Sequence, residues 1–165
     1  RPWPRSKWLT SFKSTADRVE LSARDRIDRA RARGWALQIH YRWESGRGEG
    51  SLRDALADTL ATRHISPRRL PYLRRILTVL DERLREIDRS VQGALENWKL
   101  ERLSSIDRAI LRLAAAEMLY LDDIPPKVSI QEGIRLAEMY GGHDSPRFVN
   151  GVLDALYKRR AGAQG

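Results

Sequence analysis

The chain has no cysteine. Disulfides and thiolate zinc sites are therefore excluded, and the absence fits a reducing compartment. No apolar run approaches the roughly 18 residues of a membrane-spanning helix. Residues 1–20 carry charges and lack the apolar segment of a secretory signal. The expected location is the cytoplasm, without membrane contact. The chain opens on Arg1 rather than Met, which leaves open whether it is trimmed from a longer product. Catalytic signatures are also missing. His40, His64 and His143 lie far apart and show no HExxH spacing, and neither a GxxxxGK[ST] nor a GxGxxG phosphate loop occurs. No GxSxG is present. Asp122 and Asp123 sit at a helix end before prolines and read as an exposed terminus, not an acid/base pair. No metal, cofactor or enzymatic activity is expected.

What the chain has is positive charge. It carries 31 Lys and Arg against 22 Asp and Glu, a net charge of +9 over 165 residues. Such a surplus favours a polyanionic partner, most often nucleic acid. It is concentrated at the start: residues 1–33 hold ten Lys and Arg, mostly Arg, and four acids. Arginine's planar fork pairs with phosphates and stacks on bases.

The remaining pattern is helical, and 165 residues suit a single core of ordinary size. Residues 1–20, with Pro2, Trp3, Pro4, Trp8 and Phe12, show no helical period and form a basic extension to a domain over 21–165. A helix is expected from Ser22 to Glu44, with a Ser22/Asp25 capping box. Its buried face is expected to carry Ile27, Ala30, Gly34, Leu37 and Tyr41. Residues 45–50 read as a flexible loop. Ser51 and Asp54 cap a short helix to about Arg63. A longer one runs from about Leu70 to Asn97, with Leu73, Ile76, Leu77, Leu80, Ile87 and Val91 at helical spacing. Trp98–Leu103 is a linking turn with apolar anchors. Ser104 or Ser105 caps a helix to Leu121, in which Glu117 lies near an apolar face and needs a hydrogen-bond partner. Ser129 is expected to cap a helix to Tyr140, ended at Gly141-Gly142 where positive φ is cheap. Ser145-Pro146 opens the last. No sustained strand alternation or internal repeat is visible. The class is all-α, a compact bundle of about six to seven helices. Tyr140 and Phe148 flank the Gly-Gly-His-Asp-Ser-Pro loop and offer a stacking surface for unpaired bases.

Two regions carry a family resemblance. Arg29–Tyr41 reads RARARGWALQIHY, an Arg-rich run leading into A-L-Q-x-x-Y. From Asn97 the chain reads NWKLERLSSIDRAILRLAAAEML, then DIPPKVSIQEGIRLAE, then DSPRFVNGVLD. In this ordered combination the sequence resembles the NusB family of transcription antitermination factors. The resemblance implies a helical domain of two packed subbundles. It implies binding of boxA-type single-stranded RNA jointly with NusE, a ribosomal small-subunit protein. It also implies a place in the antitermination complex on RNA polymerase, supporting ribosomal RNA transcription.

By match to the family's motifs, Arg29, Arg31 and Arg33 fall in the Arg-rich RNA-binding stretch. Asp107, Arg112, Tyr140, Asp144 and Phe148 fall around the RNA-binding surface. Tyr41 and Arg108 fall where the protein partner is expected. One departure stands out: the lysine that ends the usual I-N-E-A-I-E-L-A-K is Glu138 here. Some family members self-associate, so the state is monomer or homodimer. Some RNA cytosine methyltransferases carry a NusB-like N-terminal domain, which leaves a fragment of one as an alternative. A protein-interaction module without RNA binding is another.

Overall fold

A computed structural model describes residues 21–163 of the chain; the expected extension, with Trp3, Trp8 and Phe12, lies outside the described residues. Six α-helices and no strands are found among them: α1 (Ala23–Ser45), α2 (Leu52–Thr62), α3 (Leu70–Ala94), α4 (Ser105–Tyr120), α5 (Pro126–Tyr140) and α6 (Ser145–Ala163). One 3₁₀ turn, Leu100–Arg102, links α3 to α4. Helices α1, α2 and α3 pack on one another, as do α4, α5 and α6. These two subbundles join where α4 meets α1 and α3, and where α3 meets α6. Helix α4 is the central element, and its Ile110, Leu111, Leu113, Ala115 and Leu119 are almost wholly buried.

The serine caps act as the sequence predicts. The Ser22, Ser51 and Ser104 hydroxyls accept the N–H groups of Asp25, Asp54 and Asp107. Only Ser51/Asp54 forms the full reciprocal capping box. At Ser22 the hydroxyl instead also donates to the Asp25 carboxylate, at 2.7 Å. Helix α3 starts at Leu70 as expected, ends at Ala94, and leaves helical geometry once, at Arg83 (φ −125°, ψ 17°).

Several expectations need correction. The buried face of α1 is not the Ile27–Tyr41 stripe: Ile27 is 52% and Tyr41 41% exposed. The face turned inward carries Asp28, Ala32, Arg33, Ala36, Ile39 and His40, along with Leu37. Apolar periodicity misses it because three of these residues are polar and are buried with partners. The Trp98–Leu103 turn does carry apolar anchors, at Leu100, which is buried, and at Leu103, packed against the core; Trp98 itself is exposed. Ser129 does not cap α5, which begins at Pro126. Ser129 sits in the second turn, buried, and donates to Glu117 at 3.2 Å. The loop at 45–50 is held rather than loose. The Trp43 indole N–H donates to the Gly50 carbonyl, and its ring covers Gly48, which has φ +66°.

Gly141 ends α5 for a reason other than positive φ. Its φ is −86°, open to any residue. A Cβ there would lie 2.5 Å from Ser145 Cβ and 2.8 Å from the Ala137 carbonyl oxygen. The α5–α6 turn is too tight for a side chain. Gly141→Ala should therefore destabilise by about 1–3 kcal/mol, read as a lower urea midpoint with an unchanged m value.

Candidate nucleic-acid interface

Helices α1 and α5 flank α4 and leave a groove of about 580 Å³ between them. Arg26, Ile27, Ala30, Arg31, Gly34 and Gln38 line it from α1, and Arg135, Met139 and Tyr140 from α5. Ile27, Met139 and Tyr140 are 52%, 57% and 40% exposed, three of the five large apolar side chains most open to solvent among the described residues. They gather in one groove, which makes them a patch rather than scattered surface residues. Arg135 braces the groove: it donates to the Ala30 carbonyl of α1 at 3.2 Å and to Glu132 at 2.8 Å. Arg26 and Arg31 have no ion pair among the described residues and are exposed. The groove thus combines unpaired guanidinium groups, an exposed phenol ring and apolar side chains.

The arginines of the A-R-A-R run are split by helix geometry. Arg31 opens into the groove. Arg29 lies on the opposite flank, donating to Asp123 at 3.3 Å and stacked 4.9 Å from the Tyr72 ring centroid. Arg33 points into the core, with 4% of its side chain exposed and its Nε 2.5 Å from Glu117 Oε1. It also donates to the Tyr72 hydroxyl at 3.2 Å. Burial, the largest single influence, would lower the Arg33 pKa; the charge and hydrogen bond of Glu117, with Tyr72 and Glu132, together outweigh it and raise the pKa above the ordinary value. Burial and the Glu117 charge push the Tyr72 phenol up, against the opposing charge of Arg33. Glu117 thus has the structural partners its position demands, Arg33 and Ser129. Arg33 is committed to that role and lies in the core, outside the groove.

Arg112 and Asp107 of the expected RNA-binding set, and Arg108 of the expected partner surface, lie apart from the groove. Arg112 pairs bidentately with Asp88, at 2.7 and 2.8 Å, and with Glu44 at 3.0 Å. Arg108 also pairs with Glu44 and donates to the carbonyls of Leu100, Glu101 and Leu103. These two arginines brace the α3–α4 connection against α1. Asp107 occupies the first turn of α4, with one carboxylate oxygen buried and unpartnered among the described residues. Asp144 is exposed beside Tyr140's end of α5, while Phe148 is half-buried against the core. Sequence reasoning missed Arg26, Met139 and Arg135. The available signal was Met139, an apolar residue flanked by Glu138 and Tyr140 at a position that the core assignment did not use; Ile27 reads as core by its spacing.

His40 is the buried titratable group beside this brace. Its side chain is wholly enclosed, its Nε2 lies 3.4 Å from Arg112, and its Nδ1 has no hydrogen-bond partner among the described residues. Burial, then the Arg112 charge, lowers its pKa from 6.5 to about 4, with Glu44 opposing. The unfolded chain therefore takes up a proton near pH 6.5 that the folded chain refuses until about pH 4. Stability should fall across that window as pH drops, by roughly 3 kcal/mol in all. Asp28 and Asp123 are both held below the usual carboxylate value, chiefly by hydrogen bonds from Arg68 and Arg75, so their contributions are lost only at lower pH. Urea midpoints at pH 7 and pH 4.5 should differ in the wild type and much less in His40→Gln.

A six-helix, two-subbundle protein with a basic, aromatic-edged groove is the class that fold and site define. Comparison with known proteins gives the family. The family model described as the NusB family matches residues 30–158, and the chain belongs to that family. A curated relative, the transcription antitermination protein NusB of Chloroherpeton thalassium, is 36% identical over 79% of this chain; the match spans 62% of the relative's length. The solved T. maritima NusB structure matches with a TM-score of 0.70 at 36% identity, covering 79% of this chain and 90% of that one. A crystal structure of the antitermination factors NusB and NusE in complex with dsRNA matches with a TM-score of 0.70 at 27% identity, covering 84% of this chain and 99% of that one. Among the described residues, no helix is long and apolar enough to cross a membrane.

Proposed function

We propose that this chain is a non-enzymatic, cytoplasmic RNA-binding adaptor of transcription antitermination. Residues 21–165 are its RNA-binding domain. It takes a boxA-type single strand together with NusE and joins the antitermination complex on RNA polymerase, supporting ribosomal RNA transcription. The observation that carries the reading is the α1/α5 groove. Arg26 and Arg31, unpaired among the described residues, stand beside the exposed Tyr140, Met139 and Ile27. Single strands are held by cationic grooves that follow the backbone and by side chains on which bases stack. Asp144 and Phe148 extend this surface past Tyr140, and Glu138 lowers its charge where the family usually has lysine.

The partner surface is assigned to Tyr41 and to the segment that Arg108 braces, where Trp98 is 59% exposed. NusE bound there adds its own RNA contacts, so affinity should be cooperative. The test is fluorescence anisotropy on a boxA-containing RNA and a scrambled strand, with and without NusE. The expected result is tighter binding of the boxA strand, strengthened by NusE. Binding of NusE with no effect on RNA would replace this reading with a protein-interaction module.

A further inference from the structure

On the flank of α1 away from the groove is a cleft of about 310 Å³, at the starts of α1 and α3. It gathers arginines from both helices and the segment before α3. The guanidinium carbons of Arg29 and Arg75 lie 4.9 and 5.7 Å from the Tyr72 ring centroid. Carboxylates hold these cations in place. Arg75 grips Asp123 through two N–H groups, at 3.0 and 2.5 Å, and Arg29 donates to the same carboxylate. Arg68 donates to Asp28 at 2.8 Å and lies 3.6 Å from Asp25. Arg69 stands 3.5 Å from Asp28 and also lines the α1/α5 groove, so it links the two surfaces.

The charges do not cancel. Among the described residues, Arg24, Arg29, Arg68, Arg69 and Arg75 pair only with Asp25, Asp28 and Asp123. Each guanidinium has five N–H donors. Among the described residues, Arg75 uses two of them in hydrogen bonds, Arg29 and Arg68 one each, and the buried Nε of Arg69 none. The side chains of Arg68 and Arg75 are 53% and 42% exposed. Restrained arginines with spare donors facing solvent suit phosphate oxygens, which accept from such forks.

We propose that the starts of α1 and α3 form a second phosphate-binding surface, joined to the α1/α5 groove through Arg69. Backbone phosphates of the strand whose bases occupy the groove rest on Arg29, Arg68 and Arg75. This rests on the reading of the groove as an RNA surface. Asp123 then acts as an internal competitor, holding Arg29 and Arg75 until phosphate displaces it.

The test is the affinity of the full chain for a fluorescent single-stranded boxA RNA across a salt series. Arg68→Ala/Arg75→Ala should flatten the log–log salt slope by about 1.4, two phosphates at about 0.7 each. Asp123→Asn should raise affinity about three-fold at low salt, because a negative charge leaves the phosphate's path. If these ion pairs only hold the helices together, both variants lose thermal stability while slope and affinity stay as in the wild type; that result overturns the proposal. Should the arginine variant fail to fold, the gain in Asp123→Asn decides. Arg26→Ala/Arg31→Ala separates the two levels. Weaker binding in that variant, with no change in the cleft variants, removes the cleft and leaves the groove. A wild-type chain that binds no RNA removes both.

Discussion

Glu117→Ala should be the most destabilising single change among the described side chains, costing about 3–5 kcal/mol. Glu117 is 1% exposed and carries the charge that balances Arg33, itself nearly as buried. Its second oxygen accepts from Ser129, tying α4 to α5 while Arg33 ties it to α1. Truncation leaves a buried guanidinium with only the Tyr72 hydroxyl and a more distant carboxylate, Glu132 at 3.8 Å. For a domain of this size the loss corresponds to a drop of about 10 °C or more in melting temperature. The cost comes from the orphaned charge, not from the pair's net worth. Replacing both partners, as in Arg33→Met/Glu117→Leu, should therefore recover much of it. Calorimetry of the single and double variants checks this; a double variant no more stable than Glu117→Ala would contradict it.

The second large effect is on binding. Arg26→Ala/Arg31→Ala/Tyr140→Ala should weaken single-stranded RNA binding by about 100-fold at low salt, since stacking on one aromatic ring contributes about 1–3 kcal/mol per base and each phosphate contact adds to it. The three side chains are exposed and are not among the buried core residues, so the melting temperature should hardly move. Arg31→Ala alone should flatten the salt slope by about 0.7, whereas Tyr140→Ala should lower affinity at every salt concentration by a similar factor. That split separates charge from stacking, and a filter or anisotropy titration at three ionic strengths reads it. An unchanged affinity in the triple variant would remove the groove from the RNA surface.

The contrast between Arg33 and Arg31 shows how far the sequence could be read. Helix starts marked by Ser22, Ser51 and Ser104 were legible, because a hydroxyl reaching an N–H three residues on is local chemistry. The apolar spacing of α3 was legible for the same reason, and the all-α class followed. The inward face of α1 was not. Its burial depends on Glu117, 84 residues away, and on Arg68 and Arg69 reaching Asp28 from the start of α3. No local pattern distinguishes an arginine that meets such a partner from one that meets solvent. The same holds for Arg108 and Arg112, which converge on Glu44. Tyr140 was legible as exposed, since it ends α5 beside two glycines. Its neighbours in the groove became visible only once α1 and α5 were placed on either side of α4.

The most direct test of the account is photocrosslinking with a boxA-type RNA carrying 5-iodouracil, followed by mass spectrometry of the adducts. The groove, which Trp35 also lines from α1, predicts adducts on the peptides that hold Trp35, Met139 and Tyr140, suppressed by high salt. Adducts confined to the exposed Trp98, with none on α1 or the end of α5, would contradict it.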